Sequence, residues 1–288
     1  MKDETRGQTG TGGFIPHPSS VIPPVVDAFT FFNELDLLEL RLAELDSVVD
    51  LFVLVEAAQT FTRRPKPFHY ADNRARFARW RDKIKVVSIM EFAANAPDAW
   101  ARETLQRNAV LMGLNGVPDD ALVMLSDVDE IPRASTVTAA AGIVADGFQV
   151  GFEMRHSLYH VNNVCYTMAW RGTQLTTARH MRRVTPQSVR DRRNYPAYLV
   201  HDAGWHFTGM GGAERLGEKI RSFSHTEVDT PEINNPAHLA ACIEAGVDVS
   251  GRTDIRFKRE ALNVTYPRYL LDHQDKFSHL IWRSQNDG

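Results

Sequence analysis

The sequence predicts an α/β fold, a mostly parallel sheet with helices on both faces, built as a single domain. Three observations carry that reading. Apolar runs of strand length alternate with segments whose apolar residues recur every three or four positions. The runs at 51–56 and 121–125 are continuously apolar, as strands buried on both faces are. No interdomain linker and no internal repeat divides the 288 residues.

The chain begins with residues 1–24, polar and glycine-rich, which read as a disordered leader ahead of a domain spanning 25–288. Gly7, Gly10, Gly12 and Gly13 lack a preceding strand and a following helix, so they are not a dinucleotide-binding loop. Residues 25–32 form the first expected strand. Leu35, Leu38, Leu42 and Leu45 then mark a helix with one buried face, with Asn33 placed to cap it and Glu34 and Asp36 suited to its positive end. A strand at 51–56 ends in Glu56, and 60–67 is a loop carrying Arg63, Arg64 and Lys66. A third strand is expected at 83–89, a helix at 100–114 and a buried strand at 121–125. Beyond these come a helix at 134–145 and a strand or hairpin at 148–161. Residues 178–194, with six arginines and one aspartate, read as a basic loop. Residues 198–207 look extended and lead through Gly209, Gly211 and Gly212 into a helix at 213–223. A helix at 234–245 and an amphipathic stretch at 266–282 complete the chain.

Composition excludes several function classes. The 33 basic and 36 acidic residues leave a net charge of −3, unlike a dedicated nucleic-acid binder. Cys165 and Cys242 are too few for a zinc cluster or disulfide framework and read as buried thiols. No window approaches the ~18 apolar residues of a membrane span, and the N-terminus lacks the apolar core of a secretory signal, so a cytoplasmic protein is expected.

The chemistry is expected at the carboxyl ends of the parallel strands, where such sheets bind ligands. Three of these ends are polar: Phe32-Asn33-Glu34, Glu56, and Ser126-Asp127-Val128-Asp129-Glu130. On an extended chain Asp127 and Asp129 share one face, Val128 enters the core and Glu130 points away. Two carboxylates so placed make a hard-oxygen site for magnesium or manganese, with open positions for water and substrate phosphates. An Asp-x-Asp after a strand also fits a metal-dependent phosphohydrolase or nucleotidyltransferase. A glycan-binding module with a disused donor site is a third reading.

Ordered blocks of sequence narrow these alternatives. Phe31-Phe32-Asn33-Glu34-Leu35-Asp36-Leu37-Leu38-Glu39, Phe52-Val53-Leu54-Val55-Glu56, Thr60-Phe61, Pro65-Lys66-Pro67, Gln106-Arg107-Asn108, Ser126-Asp127-Val128-Asp129-Glu130-Ile131-Pro132, Trp170-Arg171-Gly172-Thr173 and Gly204-Trp205-His206 resemble glycosyltransferase family 17. The resemblance implies a GT-A type, Rossmann-like fold, a UDP-sugar donor (UDP-GlcNAc first), a glycan acceptor, Mn2+ or Mg2+, and inversion at the anomeric carbon. The segment after His206 lacks cysteines associated with the animal enzymes of that family, which leaves the acceptor open.

Under this resemblance Asp129 ligates the metal and Asp127 lies beside it, on the ribose or a metal-bound water. His206, or else His225, supplies a third ligand, since neutral imidazole suits manganese. Glu214, presented by the glycine turn, or Asp202 is the expected base. Phe32, Asn33 and Glu56 are placed to meet uracil and ribose, Arg63 and Lys66 the phosphate oxygens, and Arg107 either the nucleotide or Glu103 on the preceding turn as a structural ion pair. Trp170 and Trp205 are candidates to stack on a sugar ring, with core packing as the alternative for each.

Overall fold

A computed structural model describes residues 23–144 and 148–283. The expected leader therefore lies almost wholly outside the described residues. In chain order the elements are β1 (Val25–Phe31), α1 (Leu35–Leu45), β2 (Leu51–Ala57), α2 (His69–Asn73), a 3-10 segment (Arg74–Lys83), β3 (Ile84–Ile89), α3 (Ala99–Asn108), α4 (Val110–Gly113), β4 (Leu122–Asp127), β5 (Glu130–Pro132) and α5 (Ala134–Ala141). They continue through β6 (Val150–Leu158), β7 (Asn163–Cys165), β8 (Trp170–Thr177), α6 (Ala178–Val184), α7 (Pro186–Asp191), β9 (Tyr198–Val200), β10 (Gly204–Thr208), α8 (Gly212–Ser222), α9 (Pro236–Ala245), β11 (Phe257–Arg259) and α10 (Arg268–Asp272).

The main sheet runs β11-β7-β6-β8-β4-β1-β2-β3. Its first-built half is parallel, with β4, β1, β2 and β3 side by side. Beyond β4 the sheet turns antiparallel through β8, β6 and β7. The sheet is thus mixed, and the expectation of a mostly parallel one holds for its N-terminal half only. Strand alternation sorts the core into two layers. Phe29, Phe31, Phe52, Leu54 and Met124 pack with Leu38 and Leu42 of α1 on one face. Val26, Ala28, Val53, Val55, Val123 and Leu125 pack with Val110 of α4 and Met181 and Val189 from α6 and α7 on the other. Helices on both faces are as expected.

Other local expectations change. Residues 178–191 fold into α6 and α7 rather than a loop, capped by Thr177 and Thr185. Asn33 does not cap α1; Glu34 accepts from the Phe32 and Asn33 backbone N–H groups instead, and the Asn33 amide reaches Glu218. The extended stretch at 198–207 breaks at Asp202, whose φ is 49°. Among the described residues no helix is long and apolar enough to cross a membrane.

The C-terminal segment is tied to α1 by charge as well as by packing. Arg76 bridges Asp36 and Glu39, Lys276 pairs with Glu39, and His279 with Asp36. Burial pushes both carboxyl groups up, but Arg76, Lys276 and His279 together hold them below their ordinary values of 3.8 and 4.5. Because the folded pKa values lie below the unfolded ones, this stabilisation is complete above about pH 4.5 and is lost as pH falls through the folded values. Arg76→Met is expected to cost about 1–2 kcal/mol at pH 7, given its partial exposure. Urea melts between pH 7 and 3 check this: the variant should lose less stability in acid than the parent.

Candidate active site

The site begins where β4 stops. β4 ends at Asp127, Val128 and Asp129 turn, and β5 starts at Glu130. Both aspartates line a cleft of about 920 Å³ at the carboxyl end of the parallel strands. They share it because the chain turns, not because an extended strand alternates. Val128 is buried, as expected, while Glu130 folds under the turn and is fully buried.

Arg41 of α1 sets the turn. Its guanidinium is fully buried and pairs with Asp27 of β1. It also donates to the carbonyls of Asp127 at 3.1 Å, Val128 at 3.3 Å and Glu130 at 2.7 Å. One side chain therefore serves three backbone acceptors of the turn.

On the α3–α7 side Asp127 joins an alternating chain of charges. Arg107 bridges Glu103 at 2.7 Å and Asp127 at 3.2 Å, and Arg190 bridges Asp127 at 2.8 Å and Glu130 at 2.7 Å. Thr30 donates to Asp127, and the Trp170 indole N–H to Glu130. Burial raises the Asp127 carboxyl, but Arg190 and Arg107 overcome it and hold the group well below the usual carboxylate range. Arg107 keeps a buried Nε without a partner on this cleft wall.

Asp129 has different company. Its Oδ2 accepts from Lys219 of α8 at 3.0 Å, and its Oδ1 lies 3.7 Å from Nε2 of His206 on β10. His206 Nδ1 lies 2.9 Å from Nδ1 of His156 on β6, and the His206 ring stacks on Trp170 at 4.3 Å. Burial pushes His206 down despite the nearby Asp129 charge, so the imidazole is neutral at pH 7. Burial also raises the Asp129 carboxyl, but the causes opposing it, the Lys219 ammonium first among them, hold the group below its ordinary value. In the tautomer that donates Nδ1–H to His156, Nε2 of His206 presents a lone pair beside Asp129 Oδ1. A carboxylate oxygen and an imidazole lone pair at this separation fit a divalent cation that leaves other positions open.

The remaining expected site residues divide sharply. Phe32, Lys66, Arg107, Trp170 and His225 line the cleft. His225 faces Glu227 at 2.7 Å and sits edge-on to Trp100, with no bond to either aspartate. Among the described residues no three His, Cys, Asp or Glu side chains gather as a metal cluster, so the three-ligand set is not assembled. Glu56 is fully buried, taking Lys66 and the backbone N–H groups of His69 and Tyr70, and thus pins α2 to β2. Trp205 is a core residue, donating to the Thr265 carbonyl beneath the Arg133 guanidinium. Arg63 is spent on the carbonyls of Ala93 and Ala96, and Asn33 on Glu218.

Neither expected base lines the cleft. Glu214 stands on the exposed side of α8, because the left-handed Gly211 (φ 97°) and Gly212 (φ 87°) aim Leu216, Lys219 and Ile220 inward instead. Asp202 is exposed and paired with Arg133. Sequence reasoning missed Lys219 and His156 outright and placed Arg190 in a basic loop. The i, i+3 and i+4 relation of Leu216, Lys219 and Ile220 was the available signal for Lys219.

Gly172 on β8 offers a local test. A Cβ there would lie 2.2 Å from the Glu130 carboxyl carbon, inside the Arg190–Glu130 pair. Gly172→Ala is expected to cost about 2–3 kcal/mol by displacing that carboxylate. Denaturant melts measure the loss, and Gly142→Ala, which meets nothing within 4 Å, is the neutral control.

The model of glycosyltransferase family 17 matches residues 17–283. β-1,4-Mannosyl-glycoprotein 4-β-N-acetylglucosaminyltransferases of Rattus norvegicus and Homo sapiens are each 25% identical over 301 residues, covering 92% of this chain and 55% and 56% of theirs. The chain thus spans about half the length of the curated relatives it matches. Among solved structures, the mannosyltransferase PcManGT from Pyrobaculum calidifontis in complex with GDP-Man and Mn2+ is similar with a TM-score of 0.44 and 14% identity, over 78% of this chain and 70% of that one.

Proposed function

This chain belongs to glycosyltransferase family 17, and on that premise we propose that it transfers a sugar, GlcNAc first, from a UDP-sugar to a glycan hydroxyl with inversion, using Mn2+ or Mg2+. One observation carries the reading: Asp129 Oδ1 and the neutral His206 Nε2 stand 3.7 Å apart on a large cleft at the strand ends. These two atoms would hold the cation, and Asp127 would lie beside it. A bound divalent ion there neutralises the charge that develops on the leaving diphosphate.

The protein's own groups supply the rest. Arg107 offers its unpartnered buried Nε–H, and with Arg190 makes the wall beside Asp127 cationic, which suits phosphate oxygens. Phe32, with Lys66 beside its ring, and the half-exposed Trp100 give flat apolar surface for a nucleobase. Trp170 holds the His206 ring in place and closes one side of the sugar site. In an inverting transfer the acceptor oxygen attacks C1 opposite the departing UDP and its proton passes to a carboxylate, with no glycosyl-enzyme bond. Among the described residues, Glu34, Asp191, Glu227 and Asp248 are the cleft carboxylates with no direct bond to Asp127, Asp129, Arg107 or Arg190, and the base role is assigned to one of them.

A donor panel tests the proposal. The protein is incubated with UDP-GlcNAc, other UDP-sugars and GDP-mannose, with mixed glycan acceptors and with Mn2+ or EDTA. UDP release from UDP-GlcNAc, raised at least about 10-fold by Mn2+, is expected. Release of pyrophosphate instead, or no turnover of any donor, contradicts it.

A further inference from the structure

Lys219 lines the cleft and has no part yet in the proposed reaction. It reaches from α8 to the floor of the cleft, where its ammonium lies 3.0 Å from Asp129 Oδ2, 3.4 Å from Thr208 Oγ1 and 3.8 Å from Glu34 Oε1. About a quarter of the side chain, 27%, remains open to the cleft. Its placement is built in: the two left-handed glycines start α8, and Leu216 and Ile220 on the same face are buried. Asp127, by contrast, is already neutralised by two guanidiniums. Among the described residues Asp129 has no guanidinium partner, and the Lys219 ammonium balances it.

A cation entering at Asp129 Oδ1 and His206 Nε2 meets this ammonium across one carboxylate. Two positive centres on one small anion repel. A diphosphate arriving on the same floor removes the conflict, because it offers the ammonium new oxygens within a small side-chain swing. A Lys stem has the rotamers for that swing, whereas the Arg107 and Arg190 forks are locked by several bonds each.

We propose that Lys219 is a resident donor-site cation that occupies Asp129 in the empty protein and passes to the donor's diphosphate on loading, so that divalent metal and nucleotide diphosphate bind interdependently. The inference rests on the donor-site reading above and assigns the coupling to one side chain.

The test uses binding rather than turnover. Mn2+ binding is followed by electron paramagnetic resonance with and without UDP, and UDP binding by calorimetry in EDTA. Parent, Lys219→Met, Lys219→Gln and Lys219→Arg are compared after melts confirm folding. Loss of the ammonium should tighten Mn2+ binding without UDP at least about 5-fold and weaken metal-free UDP binding at least about 10-fold. Lys219→Arg should keep metal-free UDP binding within about 3-fold of the parent. The inference falls if both neutral variants bind Mn2+ no more tightly than the parent, or bind UDP in EDTA equally well. A lysine that merely braces α8 would lower the melting temperature and move neither affinity. Parent protein that binds UDP with Mn2+ keeps the donor-site reading even when the Lys219 inference falls; parent protein that binds no UDP at all removes both.

Discussion

Asp129→Asn is expected to lower kcat/KM for UDP-sugar turnover at least about 1,000-fold while leaving the protein folded. Asparagine keeps the shape of a side chain that is only 8% exposed, so the change is one of charge. What is lost is the anionic oxygen next to His206 Nε2 and the counter-charge of Lys219. Leaving the ammonium without its carboxylate costs about 1–3 kcal/mol of stability, softened by its partial exposure. Steady-state rates across a Mn2+ series, beside a denaturant melt, separate the two effects. A variant that turns over at near-parental rate with the same Mn2+ response would remove Asp129 from the chemistry.

The second large effect is expected away from the cleft surface. Arg41→Met should cost about 3–5 kcal/mol, because Asp27 is left as an unpaired charge that is 0% exposed. The carbonyls of Asp127, Val128 and Glu130 lose their shared donor in the same stroke. Pairing it with Asp27→Leu should recover much of the stability, since a buried ion pair is often replaceable by apolar groups. The double variant should still turn over poorly, as the turn carrying Asp129 has lost its anchor. Urea melts and donor turnover on the single and double variants measure both halves. Full recovery of turnover with stability would show that the turn holds its shape without Arg41.

The parts of the molecule legible in the sequence are those with short-range physical causes. Helix period and continuous apolar runs located α1, β2 and β4, and the buried strand ahead of Asp127 pointed to the end of the sheet where ligands bind. Glu56 and Trp205 were misread because polarity or aromaticity at a strand end signals chemistry only when the side chain faces the cleft. Here one is spent on the α2 N–H groups and the other on the core. The basic stretch at 178–194 hides its meaning for the same reason. Arg190 lines the candidate site only because α7 packs under β4 and β8, 60 residues beyond the Glu130 it contacts. Arg41 looks like any arginine on an amphipathic helix, and nothing local announces Asp27 as its partner. Contacts of this range follow from the sheet order, which composition and periodicity do not encode.

The most direct test of the donor site is diffraction from crystals grown with UDP and Mn2+, with anomalous data collected at the manganese edge. The account predicts one strong anomalous peak touching Asp129 Oδ1 and His206 Nε2, with the diphosphate on it and the nucleoside lying toward Phe32 and Trp100. UDP bound in the cleft with no manganese at Asp129, or manganese held by other residues, would contradict it.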